Sequence, residues 1–202
     1  MRRVRFNQTR ALILVIVCVS GCATLTTETD GLDAEARQQR IAKVTSWDLR
    51  GRISVDTGED AFQGRFTWRQ NEDQMRLSIR GPLGAGAVEI RGNEDELFVR
   101  SRGETWQMQD PELELSSLLG WWMPVSSLRY WLLGTADGRF TQISTIDEHG
   151  LLKSLEQRAW KLDYTRYALA GDVLIPRTLE LSHAPLELAV TIDDWRTLED
   201  DP

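Results

Sequence analysis

The sequence predicts a mainly β domain with helices, in which short α-helices cover a barrel-like antiparallel sheet and another helix precedes it. Three observations predict this fold. Apolar and polar residues alternate with a period of two in several segments, for example in WDLRGRISV at 47–55. Turn-forming clusters such as TGED at 57–60 and GNED at 92–95 separate these segments. Two segments that begin at a proline and end at a glycine interrupt the series, as expected for short helices.

Length, composition and charge restrict the class of protein. A chain of 202 residues is expected to form one domain, and 41% apolar with 27% charged residues excludes a disordered chain. The net charge is −7, and residues 1–21 hold four arginines and no acidic residue, so the remainder is still more acidic. This charge argues against non-specific binding of nucleic acid.

The N-terminus has the pattern of an export signal that ends at a cysteine. A cationic stretch at 1–10 precedes nine apolar residues at 11–19, too few for a permanent membrane span. VSGC at 19–22 matches a bacterial lipobox, which predicts a signal peptide at 1–21 and a lipidated Cys22. A chance cysteine after an ordinary signal peptide is the alternative. Because Cys18 is removed with the signal, the mature chain can form no intramolecular disulfide.

C-terminal to the signal peptide, the chain divides into a tether and a folded domain. Residues 22–31 comprise the lipidated cysteine and a polar, threonine-rich tether, and 32–202 form the domain. A weakly amphipathic helix is predicted over 32–44, and helices are predicted over 111–120 and 124–134. The predicted strands include 47–55, 62–69, 75–80, 151–157, 160–167, 173–182 and 186–195. About ten strands must close, or nearly close, to avoid long exposed edges.

The two central helices are rich in leucine and tryptophan and have only the dry, concave face of the sheet to pack against. They are therefore expected to form a plug or lid. Eight tryptophans in the chain admit two interpretations: ordinary core packing, or a loose cavity for acyl chains.

Catalytic signatures are absent from the sequence. It has no GxSxG, HExxH, Walker or CxxC motif, and its two histidines, His149 and His183, lie far apart in the chain. We therefore expect neither an enzyme nor a bound metal or cofactor.

Two further features point to a membrane or a partner. In the GPLG turn, Pro82, Leu83 and Gly84 place a leucine at an apex, where it can dip into a bilayer for roughly 2 kcal/mol or pack back on a neighbouring loop. An arginine-rich polar face on the first three strands can dock an acidic partner surface or phospholipid headgroups, or simply pair with neighbouring acids. Its members are Arg50, Arg52, Arg65, Arg69, Arg76 and Arg80, opposed chiefly by Asp48.

The ordered set of segments resembles the outer-membrane lipoprotein receptor LolB family. The resemblance runs from WDLRGRISV through LSIRGPLG and MPVSSLRYWLLG to LAVTIDDW, and spans Trp47 to Trp195. Two departures are Met123, where the family often has leucine, and Ala159, where it commonly has glycine. Both are conservative in bulk.

The resemblance implies an unclosed antiparallel β-barrel shared with the periplasmic carrier LolA. It also implies an outer-membrane protein, lipid-anchored at Cys22 on the periplasmic face, that accepts acylated lipoproteins from LolA and inserts them into the inner leaflet. Leu83 matches the family's membrane-inserting loop leucine. We expect a monomer whose partners are LolA, lipoprotein cargo and outer-membrane lipid, with no nucleic acid.

The resemblance does not assign the acyl-binding cavity residue by residue. Our candidates for its lining are Phe66, Trp68, Leu77, Trp106, Leu118, Trp122, Leu128 and Trp131. Two alternatives from other classes remain open: a lipid-anchored scaffold with a solid core that recruits envelope proteins, and a lipid-acting hydrolase.

Overall fold

An open antiparallel sheet dominates the computed structural model, which describes residues 29–82 and 86–197, with side chains described from residue 34. In that part of the chain the sheet has eleven strands in the order β6-β5-β4-β3-β2-β1-β11-β10-β9-β8-β7. Each strand neighbours the next along the chain, except β6 and β7, and β1 pairs with β11 at the centre. Strands β6 and β7 form the two edges and do not pair with each other, so the barrel is unclosed.

The helices and strands have the following bounds: α1 Thr29–Lys43, β1 Ser46–Asp56, β2 Ala61–Asn71, β3 Gln74–Arg80, β4 Val88–Gly92, β5 Leu97–Ser101, β6 Glu104–Met108, α2 Pro111–Leu119, α3 Val125–Leu132, β7 Gln142–Ile146, β8 Leu152–Gln157, β9 Trp160–Ala170, β10 Val173–His183 and β11 Leu186–Thr197. The predicted mainly β architecture with its three helices is thus confirmed. Strand β7 was not predicted, because all five of its residues are exposed and their burial does not alternate.

Period-two alternation places one face of the sheet in the core. On β11, Leu186, Leu188, Val190 and Ile192 are buried, while Glu187 and Ala189 between them are exposed. The inner faces of the other strands, except β7, add to one continuous apolar cluster.

A bulge in β1 brings the central strands close together. The register of β1 against β11 shifts between Arg50 and Gly51. A Cβ added at Gly51 would lie 2.2 Å from the carbonyl oxygen of Thr191 and 2.8 Å from the ring of Phe66. Only glycine therefore permits this approach, which sets Phe66 into the inner face.

Capping residues define the helix ends close to the predicted boundaries. Pro111 opens α2, and Gly120 closes it in the left-handed conformation, φ 81°. Helix α3 ends at Leu132, two residues before the predicted Gly134, which has φ 70°. Helix α1 begins and ends slightly earlier than predicted. No helix in the described part of the chain is both long and apolar enough to cross a membrane.

Candidate acyl-chain site and its helical cover

The dry face of β2 and β3 holds three of the predicted cavity residues together. Phe66 and Trp68 on β2 and Leu77 on β3 are all buried, and Trp68 lies directly opposite Leu77. The ring centroid of Trp68 is 5.8 Å from that of Trp47, and its Nε1 donates to Gln70 Oε1 at 3.0 Å. These side chains form one wall of the inner face.

Helix α3 covers the dry face and inserts Trp131 into it. Trp131 is fully buried, and its Nε1 donates to Gln157 Oε1 at 2.8 Å. Its carbonyl oxygen accepts from the Tyr164 hydroxyl at 3.0 Å, and its ring centroid is 6.5 Å from that of Trp160. A buried indole needs a partner for its N–H, and Gln157 supplies it.

The remaining predicted cavity residues lie nearer the surface. Trp106 on β6, Trp122 between the two helices and Leu128 on α3 are half-buried and pack against the core. Leu118 on α2 is 46% exposed. In this closed arrangement, Leu118 faces solvent instead of lining an interior space.

Helix α2 is attached to the body by few apolar contacts. Among its leucines only Leu115 is buried, whereas Leu113, Leu118 and Leu119 are exposed. Among the residues that the structure describes, part of the apolar surface of this helix therefore has no partner.

Polar contacts hold α2 to α3 and to the turn between β8 and β9. Arg158 in that turn donates to both carboxylate oxygens of Glu112, at 2.9 and 2.5 Å, and its guanidinium lies over the ring of Trp122. Glu112 also accepts from the Ser126 backbone and hydroxyl groups. Burial by itself raises the pKa of the Glu112 carboxyl, but hydrogen bonds from Arg158 and Ser126 outweigh it and hold this pKa below its ordinary value.

A second set of polar contacts joins α3 to the opposite half of the sheet. The Asp137 carboxylate, whose side chain is 1% exposed, accepts from the Ser127 hydroxyl at 2.8 Å and from Arg139 Nε at 2.9 Å. Arg139 also contacts Glu94 in the β4–β5 turn, and Arg129 of α3 lies 2.9 Å from the same carboxylate. Burial raises the pKa of Asp137, but the bonds from Arg139 and Ser127 dominate and lower it.

We call these two sets of contacts together the polar bridge. It comprises Glu94, Glu112, Ser126, Ser127, Arg129, Asp137, Arg139 and Arg158. A cavity of about 250 Å³ lies against the bridge, with Trp68, Met75 and Leu97 on its apolar side. The helical cover is thus fixed to both halves of the sheet by charged groups that line a small pocket.

Arg37 connects α1 to the same region. Its guanidinium donates to the carbonyl oxygens of Leu133 at 2.7 Å and Leu174 at 2.5 Å, and it lies over the ring of Tyr167. Arg37 is only 7% exposed, and its burial lowers the pKa of the guanidinium. Helix α1 is therefore docked on β10 and on the end of α3.

Three of the sequence-predicted functional residues, Cys22, Leu83 and Gly84, lie outside the described residues. Pro82 is exposed directly after β3. It lines a groove of about 1,210 Å³ on the outer, polar face of the sheet.

Sequence reasoning missed the polar bridge and Arg37. Partners in the bridge are up to 46 residues apart, and no local spacing marks them. The one sequence feature that could have indicated the bridge is the position of Glu112 in the first turn of a helix that also carries exposed leucines.

Comparison with known proteins agrees with this architecture. Residues 45–195 match the family model described as outer membrane lipoprotein LolB. Proteins named outer-membrane lipoprotein LolB are similar over most of their length. The one from Nitrosococcus oceani is 31% identical over 92% of this chain and 95% of its own, and one from Francisella tularensis is 30% identical over 95% of each.

Solved structures support the fold. A LolA-superfamily protein from Nitrosomonas europaea superposes with a TM-score of 0.51 at 10% identity, over 84% of this chain and 95% of its own. A DUF1329 family protein from Desulfovibrio piger also gives 0.51, at 7% identity, over 83% and 92%. Because the family match spans both cover helices and almost the whole sheet, and these relatives match over more than nine-tenths of both chains, the chain belongs to the outer membrane lipoprotein LolB family.

Proposed function

We propose that this chain is an outer-membrane lipoprotein that accepts acylated lipoproteins from the periplasmic carrier LolA and inserts them into the inner leaflet of the outer membrane. The observation that carries the proposal is the dry sheet face of a LolB-family body, covered by short helices that polar contacts hold in place.

The cargo explains why such a face is needed. An acyl chain of ~16 carbons would cost about 12 kcal/mol to expose to water, at ~0.8 kcal/mol per methylene. A lipoprotein crossing an aqueous compartment therefore needs its chains shielded at every step. An apolar surface with non-directional interactions suits alkyl chains, because these chains have no hydrogen-bonding groups that a protein could recognise.

The cover must move for cargo to enter. The pocket of about 250 Å³ beside the polar bridge is smaller than the roughly 300–1,000 Å³ of ordinary ligand pockets. Because α2 buries only Leu115 among its leucines, it is the element that can be displaced at least cost. Displacement would open the wall formed by Phe66, Trp68 and Leu77 and would turn Leu118 toward the chains.

Delivery completes the cycle without catalysis. Cys22 holds the body at the periplasmic face of the outer membrane, and Pro82, Leu83 and Gly84 form the tip that meets the bilayer. Transfer runs downhill in affinity from carrier to receptor, and release is driven by the bilayer as the better solvent for alkyl chains. The protein acts as a monomer.

Transfer between purified proteins tests the proposal. The chain without residues 1–22 keeps every described element and is mixed with LolA carrying a radiolabelled lipoprotein. We expect the label to move to this chain and a fluorescent fatty acid to bind it. Failure of both would favour the solid-core scaffold, and turnover of an ester would favour a hydrolase.

The loop tip has its own test, in which Leu83→Glu is compared with Leu169→Glu. Leu169 on β9 is 69% exposed and belongs to the other half of the sheet. We expect Leu83→Glu to accept cargo normally but to lose most insertion into liposomes, because a charged tip cannot enter hydrocarbon. Leu169→Glu should do both normally. Normal insertion by Leu83→Glu would refute the role of the tip.

A further inference from the structure

Rows of arginines lie directly opposite one another on the outer face of the sheet. Arg52, Arg65 and Arg80 form one row across β1, β2 and β3. A second row crosses β2, β3 and β4 as Arg69, Arg76 and Arg91. On β2 and β3, a row of smaller polar residues lies between the two arginine rows. All six side chains are exposed.

This arrangement is unfavourable for the isolated protein. Like charges directly opposite each other on neighbouring strands repel and destabilise the sheet. Two of the arginines are compensated, Arg52 by Asp193 and Arg69 by Asp48. Within residues 29–82 and 86–197, however, Arg65, Arg76 and Arg80 make no side-chain hydrogen bond or ion pair. Of the two alternatives for this face, pairing with neighbouring acids thus accounts for Arg52 and Arg69 but not for Arg65, Arg76 and Arg80.

The unpaired charges surround the large groove on this face. Its volume is about 1,210 Å³, and five of the six arginines line it, with Glu89 as its one acidic residue among those described. The groove continues to Gly81 and Pro82, the start of an uncharged segment, GPLGAGA at 81–87. The groove therefore connects a cationic surface to the loop that the proposed function places at the membrane.

We propose that this groove binds the phosphate headgroups of anionic phospholipids at the membrane surface. The inference rests on the proposed function. Every basic residue in the groove is arginine, whose planar fork suits bidentate contacts with phosphate. Headgroups would supply the negative charge that the arginine rows lack, and would orient the uncharged segment toward the bilayer.

An acidic rim on the carrier fits this face less well. Acyl chains handed over by a carrier must reach the inner side of β2 and β3, where Phe66 and Leu77 lie. The arginines project from the opposite side of those same strands. A partner on the outer face would therefore stand behind the wall that receives the chains, whereas a membrane there leaves the inner face free.

Sedimentation with vesicles tests the inference, again with the chain lacking residues 1–22. Because the net charge of the protein is negative, attraction to an anionic surface must come from a local patch. We expect binding to vesicles of phosphatidylcholine with phosphatidylglycerol, weak binding to phosphatidylcholine alone, and loss of the difference at 0.5 M salt. Equal binding to both vesicles at low salt would overturn the proposal.

The decisive variant is Arg76→Glu/Arg80→Glu. Its matched control, Lys153→Glu/Arg166→Glu, makes the same change in charge at exposed positions on β8 and β9. The first should weaken binding to anionic vesicles by at least about tenfold, and the control should bind as the unaltered protein does. If both lose binding equally, net charge alone is responsible and the groove is not the site.

Thermal unfolding separates loss of the site from loss of the fold. Glutamates at 76 and 80 would face Arg69 and Arg65, so the variant should melt at the same or a higher temperature. Its cargo acceptance from LolA should also be unchanged. If the variant binds vesicles normally but accepts less cargo from LolA, the face belongs to the carrier and the lipid proposal is refuted. If the unaltered protein itself accepts no cargo, the proposed function is refuted instead.

Discussion

At the scale of single residues, Arg37 shows how one buried charge can join three elements. A guanidinium removed from water is costly unless its donors are satisfied, and here backbone carbonyls at the end of α3 and on β10 satisfy them. The aromatic face of Tyr167 adds a further favourable contact. Burial also raises the pKa of the Tyr167 hydroxyl, which donates to the carbonyl oxygen of Leu152 at 2.9 Å.

Replacing Arg37 with alanine should therefore destabilise the protein by about 3 kcal/mol, because buried carbonyl oxygens lose a charged donor. Arg40→Ala on the same helix is the control. Its ion pair with Asp172 is exposed on both sides, and its loss should cost under about 1 kcal/mol. Urea unfolding measures both values. Equal losses in the two variants would show that Arg37 does not dock α1.

At the scale of elements, the two cover helices differ in how they are held. Helix α3 is fixed by a fully buried Trp131 and by Asp137, whereas α2 depends on Leu115 and the Glu112–Arg158 pair. Opening should therefore begin at α2. When the contacts of the polar bridge break, water can hydrogen-bond to the freed groups. Water could not compensate in this way for apolar contacts that break.

Glu112→Gln should loosen α2 selectively. Weakening this pair by about 1.5 kcal/mol corresponds to roughly tenfold faster amide hydrogen exchange in α2, with β10 unchanged. Glu156→Gln, on an exposed position of β8, should have no effect. Unchanged exchange in α2 would show that the pair does not hold the cover.

Acid should reproduce the effect of the variant. The folded-state pKa values of Glu112 and Asp137 lie below their ordinary values of 4.5 and 3.8. Their contribution to stability is therefore complete above about pH 5 and is lost as the pH falls through the lowered values. The unaltered protein should lose protection of the α2 amides, measured relative to their intrinsic exchange rates, only in that acidic range, and Glu112→Gln should show a smaller change there.

The elements also show which features were predictable. The alternation of apolar and polar residues in segments such as WDLRGRISV is a local pattern. Strands and their inner faces could therefore be predicted from the sequence, including the burial of Phe66, Trp68 and Leu77. Strand β7 was missed because neither face is buried. The polar bridge could not be foreseen, because residues such as Glu94 and Arg139 meet only after the whole chain has folded.

At the scale of the whole molecule, the two faces of one sheet have different tasks in this account. The inner face of β2 and β3 is dry and covered, and the proposed function assigns it the acyl chains. The outer face of the same strands carries the arginine rows and the groove that reaches Pro82. Because side chains alternate, neighbouring residues on one strand serve the two tasks, as Phe66 and Thr67 do.

That alternation provides the most direct test of the central claim, that cargo chains lie against the inner face. A photo-crosslinking amino acid is placed at Phe66 in one variant and at exposed Thr67 in another, and each is loaded from LolA with radiolabelled lipoprotein. We expect a crosslink to the acylated cargo from position 66 and little or none from position 67. Crosslinks from 67 but not from 66, or equal yields from both, would contradict it.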